Sequence, residues 1–318
     1  MNVTDTEIKE ALFRDFGMED VTFVPLSGYY DKNFKVTTPK ETFFLKVYGF
    51  DALPFVLFQL DVMERCVQAG FPVARLIKTK RDASYFVVGD KSASLQEFLP
   101  GIPVAEAPHD VELMEELGQV LGRMHRLISR QEFKGESWKK YPWDLSQFEL
   151  VSGDYTQVRD SFPKQTVVLI DNVFAEWTKS SDILSMMRKG VVHNDYHAWN
   201  ILVSGKKVSA ITDFGDAMYS WYAGDVAIAL AHLCFEELNS TDVFVGHFLR
   251  GYEREFVLDD MEKSNLPLLI QMRAVTAMVE IALDSQKLAH GMYTDIVRLQ
   301  TGVLEFLAKK SLTHLFIK

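Results

Sequence analysis

Four polar side chains, His193, Asp195, His197 and Asn200, interrupt one otherwise apolar stretch, VVHNDYHAWNILV from Val191 to Val203. His193, Asp195 and Asn200 fill the spacing H-x-D-x-x-x-x-N, and the next apolar run, VSAITDFG, ends in Asp213, Phe214 and Gly215. Together the two segments suit phosphoryl transfer. A carboxylate in a tight loop can orient an attacking hydroxyl and accept its proton, while an amide oxygen and a second carboxylate hold Mg²⁺ against a triphosphate. A hard cation needs oxygen ligands, and here they come from more than one segment. Taken alone, Asp-Phe-Gly is commonly a turn and H-x-D a satisfied loop pair. Their occurrence in order, each beside a strand, carries the reading.

Such groups must be held by rigid neighbours. Val191 and Val192, Ile201 to Val203, and Val208 to Ile211 read as strands that anchor the loop ends in a core. Upstream, VTFVPLSGYY, KNFKVTT and ETFFLKVYG are Val-, Phe- and Thr-rich runs separated by turn signals, as in antiparallel hairpins. Lys46, in FFLKVY, is placed to reach the α- and β-phosphates, against the alternative of a solvated strand lysine. The helix predicted from Leu53 to Gln68 offers Glu64 or Asp61 as its acidic partner, or Gln59 as a neutral one. The loop Ser27 to Asn33, with Gly28, either covers the phosphates or is an ordinary hairpin turn.

A first helix is predicted at TDTEIKEALFRDFG, capped by Thr4 with Glu7. ARLIKTK and SYFVVGD read as further strands. Pro100, Gly101 and Pro103 then punctuate the chain, which places a boundary between residues 1–100 and 101–318. The second part opens with the amphipathic DVELMEELGQVLGRMHRLI. It continues through an irregular stretch from Gly135 to Asp154, a helix from Asp171 to Arg188, and helices only from Gly224 through Ser311. A small β-rich lobe followed by a large helical one is the α+β architecture expected.

Composition narrows the function classes. The 318 residues are 47% hydrophobic and 25% charged, as in a folded chain of about two domains. Forty-four acidic against 34 basic residues give a formal charge of −10, which disfavours nucleic acid and favours a cationic small molecule. Cys66 and Cys234 read as core thiols, with no zinc-ligand spacing. The N-terminus lacks a signal-peptide pattern and no uninterrupted apolar run has membrane-span length, so a cytoplasmic location is expected.

Across nearly its whole length the chain resembles the aminoglycoside phosphotransferase and choline kinase superfamily, particularly members similar to homoserine kinase type II and hydroxylysine kinase. The resemblance rests on FFLKVY, AGFPVARLI, LQEFLPG, LGQVLGRMHRL, VVHNDYHAWNILV, ITDFGD and GDVAIALAH. It implies a protein kinase-like, two-lobed fold and ATP-dependent phosphorylation of an alcohol. Carried over by position, it makes Asp195 the catalytic base, Asn200 and Asp213 the Mg²⁺ ligands, and Lys46 the phosphate-contacting lysine. The backbone of Glu97 and Leu99 would pair with adenine, and Asp225 would brace the catalytic loop. Asn194 stands where many relatives have Gly, and Ala198-Trp199 replaces a frequent Pro-Gly. His197, two residues past the base, is placed either to approach the γ-phosphate or to bond within the loop.

Downstream of Asp213, the residues Asp216, Tyr219, Trp221 and Tyr222 set a carboxylate beside aromatic rings, suited to an amine, although such rings also pack against a lobe. Homoserine, hydroxylysine, choline-like amino alcohols and aminoglycosides all present a hydroxyl near an amine. Two alternatives stand beside this reading: a protein Ser/Thr kinase of the same fold and a nucleotide-binding pseudokinase.

Overall fold

The computed structural model describes residues 3–26, 28, 30–49, 52–128, 132–137, 139–235, 240–284 and 292–309. Helix α1 (Asp5–Phe16) carries the predicted capping box: Thr4 Oγ1 accepts from Glu7 N, and the Glu7 carboxylate accepts from Thr4 N at 2.8 Å. Its Ile8, Ala11 and Leu12 are buried with the sheet residues Phe34, Val36, Leu45, Val88 and Leu95. That sheet is antiparallel, in the order β1 (Thr22–Leu26), β2 (Lys32–Thr37), β3 (Thr42–Val47), β5 (Lys91–Glu97), β4 (Phe86–Val88).

ARLIKTK is not a strand. The far edge of β5 is shared: β4 pairs with its residues 91–93, and residues 75–77 meet its end through Ile77 N to Leu95 O, Glu97 N to Arg75 O and an isolated Leu76–Gln96 bridge. Between them the chain turns around Thr79, whose Oγ1 accepts from Arg81 N and Ala83 N, so pairing cannot extend.

Helix α2 (Leu53–Gln68) begins with Pro54 in its first turn, where a missing N–H costs no hydrogen bond. Its Val56, Phe58, Leu60 and Val62 belong to the same core as the large lobe. The crossing between lobes follows β5, and the two-residue β6 (Ile102–Pro103) already pairs with β8 (Ile201–Ser204), which pairs with β9 (Lys207–Ile211).

The large lobe is built on α3 (Val111–Ile128) crossing α7 (Thr241–Glu253). A Cβ added at Gly118 would sit 1.9 Å from Phe248 O, and one at Gly251 would sit 2.0 Å from Glu115 O. Backbone contact this close admits only glycine, and it brings His125 Nδ1 within 2.8 Å of Tyr252 Oη. Around this pair stand α4 (Phe148–Val158), α5 (Lys164–Ser185), the two-stranded sheet of β7 (Lys189–Val192) and β10 (Met218–Trp221), α6 (Tyr222–Leu233), α8 (Asp260–Leu283) and α9 (Met292–Lys309). The irregular stretch ends before Asp154, because buried Asp144 caps the turn Leu145–Gln147 and α4 begins at once. Likewise α5 starts after Pro163, ahead of the predicted Asp171. Past β10 the described chain is helical, as expected, and Ser311 lies outside the described residues.

Helix α8 is long and apolar enough by length and composition to cross a membrane, yet 72% of its apolar window is buried inside the protein, as befits a core helix. Cys66 and Cys234 are buried and free, and burial pushes the Cys66 thiol up to about 12.

Candidate active site

The strand β7 delivers the chain into a loop whose shape is set from beneath by Asp225. One oxygen of Asp225 accepts from His193 N at 3.0 Å and His125 Nε2 at 2.9 Å; the other accepts from Asn194 N at 2.8 Å. The carboxylate sits in the first turn of α6, where the helix dipole favours negative charge. Asn194 adopts φ 61°, the left-handed region that asparagine tolerates better than most residues, so it can stand where relatives carry Gly. His193 accepts from Asp195 N at Nδ1 and therefore donates from Nε2 to Thr212 O at 3.0 Å, a neutral ring whose pKa burial lowers.

Asp195 emerges from this loop already solvated by protein donors. Asn200 Nδ2 lies 2.7 Å from its Oδ2, His197 Nε2 3.2 Å from the same oxygen, and Arg273 Nη2 3.3 Å from Oδ1. Burial would raise its pKa, but His197 and Arg273 together hold it below the ordinary carboxylate range. His197 accepts Trp199 N at Nδ1 at 3.1 Å, which leaves its proton on Nε2 facing Asp195. A loop hydrogen bond is the role its geometry displays.

Thr212 ties the two motifs together: its N and Oγ1 both bond Asn200 O, at 2.8 and 3.0 Å. Asp213 follows with φ 57°, and Lys46 Nζ meets its Oδ1 at 2.6 Å. Lys46 also pairs with Asp31 at 2.9 Å, and Asp31 is held by Gly49 N at 2.8 Å. Burial opposes the ammonium, yet Asp213 and Asp31 raise its pKa well above the ordinary value. Asp213 itself is raised by burial and lowered more by Lys46, for a net downward shift.

The helix partner expected for Lys46 is corrected here. Glu64 bonds Lys78 and Ser84, and Asp61 accepts Lys134 N at 3.0 Å. Five residues separate Gln59 from Glu64, a rotation of about 140° around the helix, so Glu64 turns away from the cleft that Gln59 faces. Gln59 Nε2 donates to Gly215 O at 2.7 Å, and so bonds the backbone after Asp213 in place of the lysine.

Two cavities meet at Asp213. One, of about 470 Å³, has apolar walls from Leu26, Ala74, Leu202 and Ile211, with Glu97 and Leu99 at one end and Lys46 and Asn200 at the other. Glu97 N is committed to Arg75 O, so its carbonyl is the group to consider for a base edge. The second, of about 640 Å³, is lined by Asp195, His197, Asp216, Arg273, His232 and Tyr141 among others. Asn33, Trp199, Asp213 and Gly215 line both.

A family model described as the phosphotransferase enzyme family matches residues 22–263, three quarters of the chain and both motifs. The chain belongs to that family. It is accordingly an enzyme, a kinase of protein kinase-like fold, and the curated relatives it matches agree. A hydroxylysine kinase of Mus musculus is 26% identical over 318 aligned positions, covering 90% of this chain and 84% of that one. A homoserine kinase of Caulobacter vibrioides is 28% identical, covering 86% and 85%. Among solved structures, amicoumacin kinase hAmiN in complex with AMP-PNP, Ca²⁺ and Ami superposes with a TM-score of 0.74 at 20% identity, covering 95% of this chain and 93% of that one.

For a phosphotransferase the donor set at the cavity junction fits a divalent cation carried in with a nucleotide. Asn200 supplies an amide oxygen, its nitrogen being engaged by Asp195, and Asp213 supplies a carboxylate. Among the described residues no group of three or more His, Cys, Asp or Glu could hold a metal by itself, so phosphate oxygens would have to complete the shell.

Of the acceptor residues expected from sequence, only Asp216 lines the larger cavity. Burial, then the charges of Asp195 and Asp213, push it up to about 7 against the opposing bond from Tyr141 Oη at 2.5 Å. Tyr219 and Trp221 are corrected: β10 pairs them with Val191 and Lys189 of β7, which carries them out of the cavity. Tyr219 is exposed, while Trp221 is buried with Lys189 over its ring. Gly28 lines the cavity, and a Cβ there would lie 2.4 Å from Asp31 O, so the turn that presents Asp31 needs glycine. Ser27 and Tyr29 lie outside the described residues.

Sequence reasoning missed Asp31, Arg273, His232, Tyr141 and Trp143. Asp31 stood in the loop already singled out. Arg273 had one signal, a cation within the apolar run of α8.

Proposed function

We propose that this kinase uses ATP and Mg²⁺ to phosphorylate a hydroxyl of a small, amine-bearing molecule. The observation that carries the reading is the junction at Asp213, a residue shared by the walls of the cavity holding Lys46 and Asn200 and of the one holding Asp195. A nucleotide in the first presents its terminal phosphate to the second. Lys46, itself fixed by Asp31 and Asp213, holds the phosphates, and Glu97 and Leu99 hold the base. The metal, when bound by Asn200 and Asp213, offsets charge on the triphosphate. Asp195 orients the acceptor hydroxyl in line and takes its proton, and the rate comes mainly from positioning and preorganised charge.

The acceptor side supports a small molecule. Ile296, Leu299 and Gln300 of α9 wall the larger cavity, and only a short span separates Asp213 from Asp225. Asp216, beside Tyr141 and Trp143, suits an ammonium, which would draw its proton off by opposite charge. A protein Ser/Thr substrate fits this enclosure poorly, and the convergence of Asp195, Asn200, Asp213 and Lys46 speaks against a pseudokinase.

The test is an ATP-consumption screen over hydroxy amino acids, amino alcohols, aminoglycosides and a generic protein substrate, with ³¹P NMR of the product. A phosphate monoester on one small-molecule class supports the reading. Turnover of the protein substrate alone contradicts it.

A further inference from the structure

Arg273 is 4% exposed, and its guanidinium lines the acceptor cavity. Nη2 lies 3.3 Å from Asp195 Oδ1, Nε lies 3.3 Å from His232 Nε2, and the planar group stacks 4.7 Å from the Trp143 ring centre. Charge-assisted bonds of a committed arginine are shorter, at about 2.7–2.9 Å, and commonly bidentate. Neither is found here, and Nη1 makes no hydrogen bond among the described residues. His232 is no competing charge, since burial and Arg273 hold its pKa well below the ordinary value.

A buried guanidinium is costly unless its donors are met. A structural role would be served by a close, two-pronged carboxylate. Arg273 instead has Trp143 against its flat face, Asp195 at one nitrogen, no hydrogen bond at Nη1 among the described residues, and a place in the cavity wall. The planar fork matches a second carboxylate, one that arrives with the acceptor.

We propose that Arg273 is a specificity-determining residue that receives a carboxylate of the acceptor, which makes the substrate a hydroxy amino acid. This deepens the kinase reading above and rests on it. Because one nitrogen of Arg273 already reaches Asp195, a carboxylate on the guanidinium and a hydroxyl on Asp195 belong to a molecule in which the two are a few bonds apart. Asp216 then takes the amine. Ala277 and Ile281 continue the cavity face of α8 at four-residue spacing and, with Ile296 and Leu299, give an apolar wall for connecting methylenes. A polycationic aminoglycoside, which has no carboxylate, would meet an unanswered buried cation.

The test compares acceptors that differ only in the carboxylate: homoserine against propanolamine, threonine against isopropanolamine, and hydroxylysine against the diamine left by its decarboxylation. The wild-type enzyme is expected to favour the acid of at least one pair by about 10²-fold or more in kcat/KM, because a site built around a polar group rejects the analogue lacking it. In Arg273→Met the preference should collapse through the KM of the acid, with Arg273→Lys restoring part of it; any loss of kcat through Asp195 falls on both members alike. Equal or better use of the carboxylate-free members overturns the inference and leaves the kinase standing, as does use of aminoglycosides alone. An Arg273→Met enzyme with an unchanged ratio also overturns it. Absence of turnover with every acceptor contradicts both. The wild-type ratio decides even if the variants fail to fold.

Discussion

Lys46 Nζ stands 2.6 Å from Asp213 Oδ1 and 2.9 Å from Asp31 Oδ2, so the lysine of the small lobe is oriented by the segment after β9 and a strand-edge loop, without a helix carboxylate. The arrangement ties the position of Lys46 to that of Asp213. It also separates this chain from a lysine held by a helix glutamate.

Three substitutions distinguish the two arrangements. Lys46→Met should lower kcat/KM for ATP by about 10²–10³-fold, as for loss of one preorganised donor at developing charge. Asp31→Asn should cost roughly tenfold, within the range of one charge-assisted hydrogen bond. Glu64→Gln, which removes only the charge that faces Lys78 and Ser84, should leave turnover unchanged. Steady-state kinetics over ATP concentration checks all three, and a large effect at Glu64 with none at Asp31 would reverse the assignment.

Asp225 serves the loop rather than the reaction. It is 1% exposed and satisfies two backbone N–H groups and the His125 ring at once. Asp225→Ala leaves all three buried donors unmet and should destabilise the fold by at least about 3 kcal/mol, at about 1–3 kcal/mol for each buried donor left unsatisfied. Urea denaturation measures this, and a cost under about 1 kcal/mol, within the range of one ordinary hydrogen bond, would show that the loop holds its shape without Asp225.

Glu280 makes stability depend on pH. Burial, then the charge and hydrogen bond of Asp154 from α4, then Asp284, push its carboxyl up to about 8 from an ordinary 4.5. The folded state therefore favours the protonated acid. Its contribution is full below about pH 4.5 and is lost as pH rises through about 8. The Tm should fall over that window. Glu280→Gln, neutral throughout, should flatten the fall and exceed the wild-type Tm at about pH 9. Parallel unfolding curves for the two proteins across the window would show that Glu280 does not titrate there.

The catalytic loop could be read from sequence because its chemistry is local. Asp195 and Asn200 are five residues apart in one turn, and apolar strands on both sides announce a fixed scaffold. The capping box of α1 and the Pro-started α2 were visible for the same reason. What sequence did not reveal depends on direction in space. Glu64 and Gln59 sit on one helix, and only its rotation about its axis decides which faces the cleft. ARLIKTK has strand composition but shares its partner edge with β4. Arg273 lies 78 residues beyond Asp195 and reaches it only because α8 lines the larger cavity.

Asp195 carries the central claim, that a carboxylate in the wall of the larger cavity accepts the proton of an acceptor hydroxyl. Asp195→Asn keeps the shape and removes the base. Single-turnover phosphoryl transfer to the best acceptor should drop by about 10²–10⁴-fold, the usual contribution of a general base, while the affinity for an ATP analogue stays within about twofold. Transfer by Asp195→Asn at a rate near that of the wild type would contradict the account.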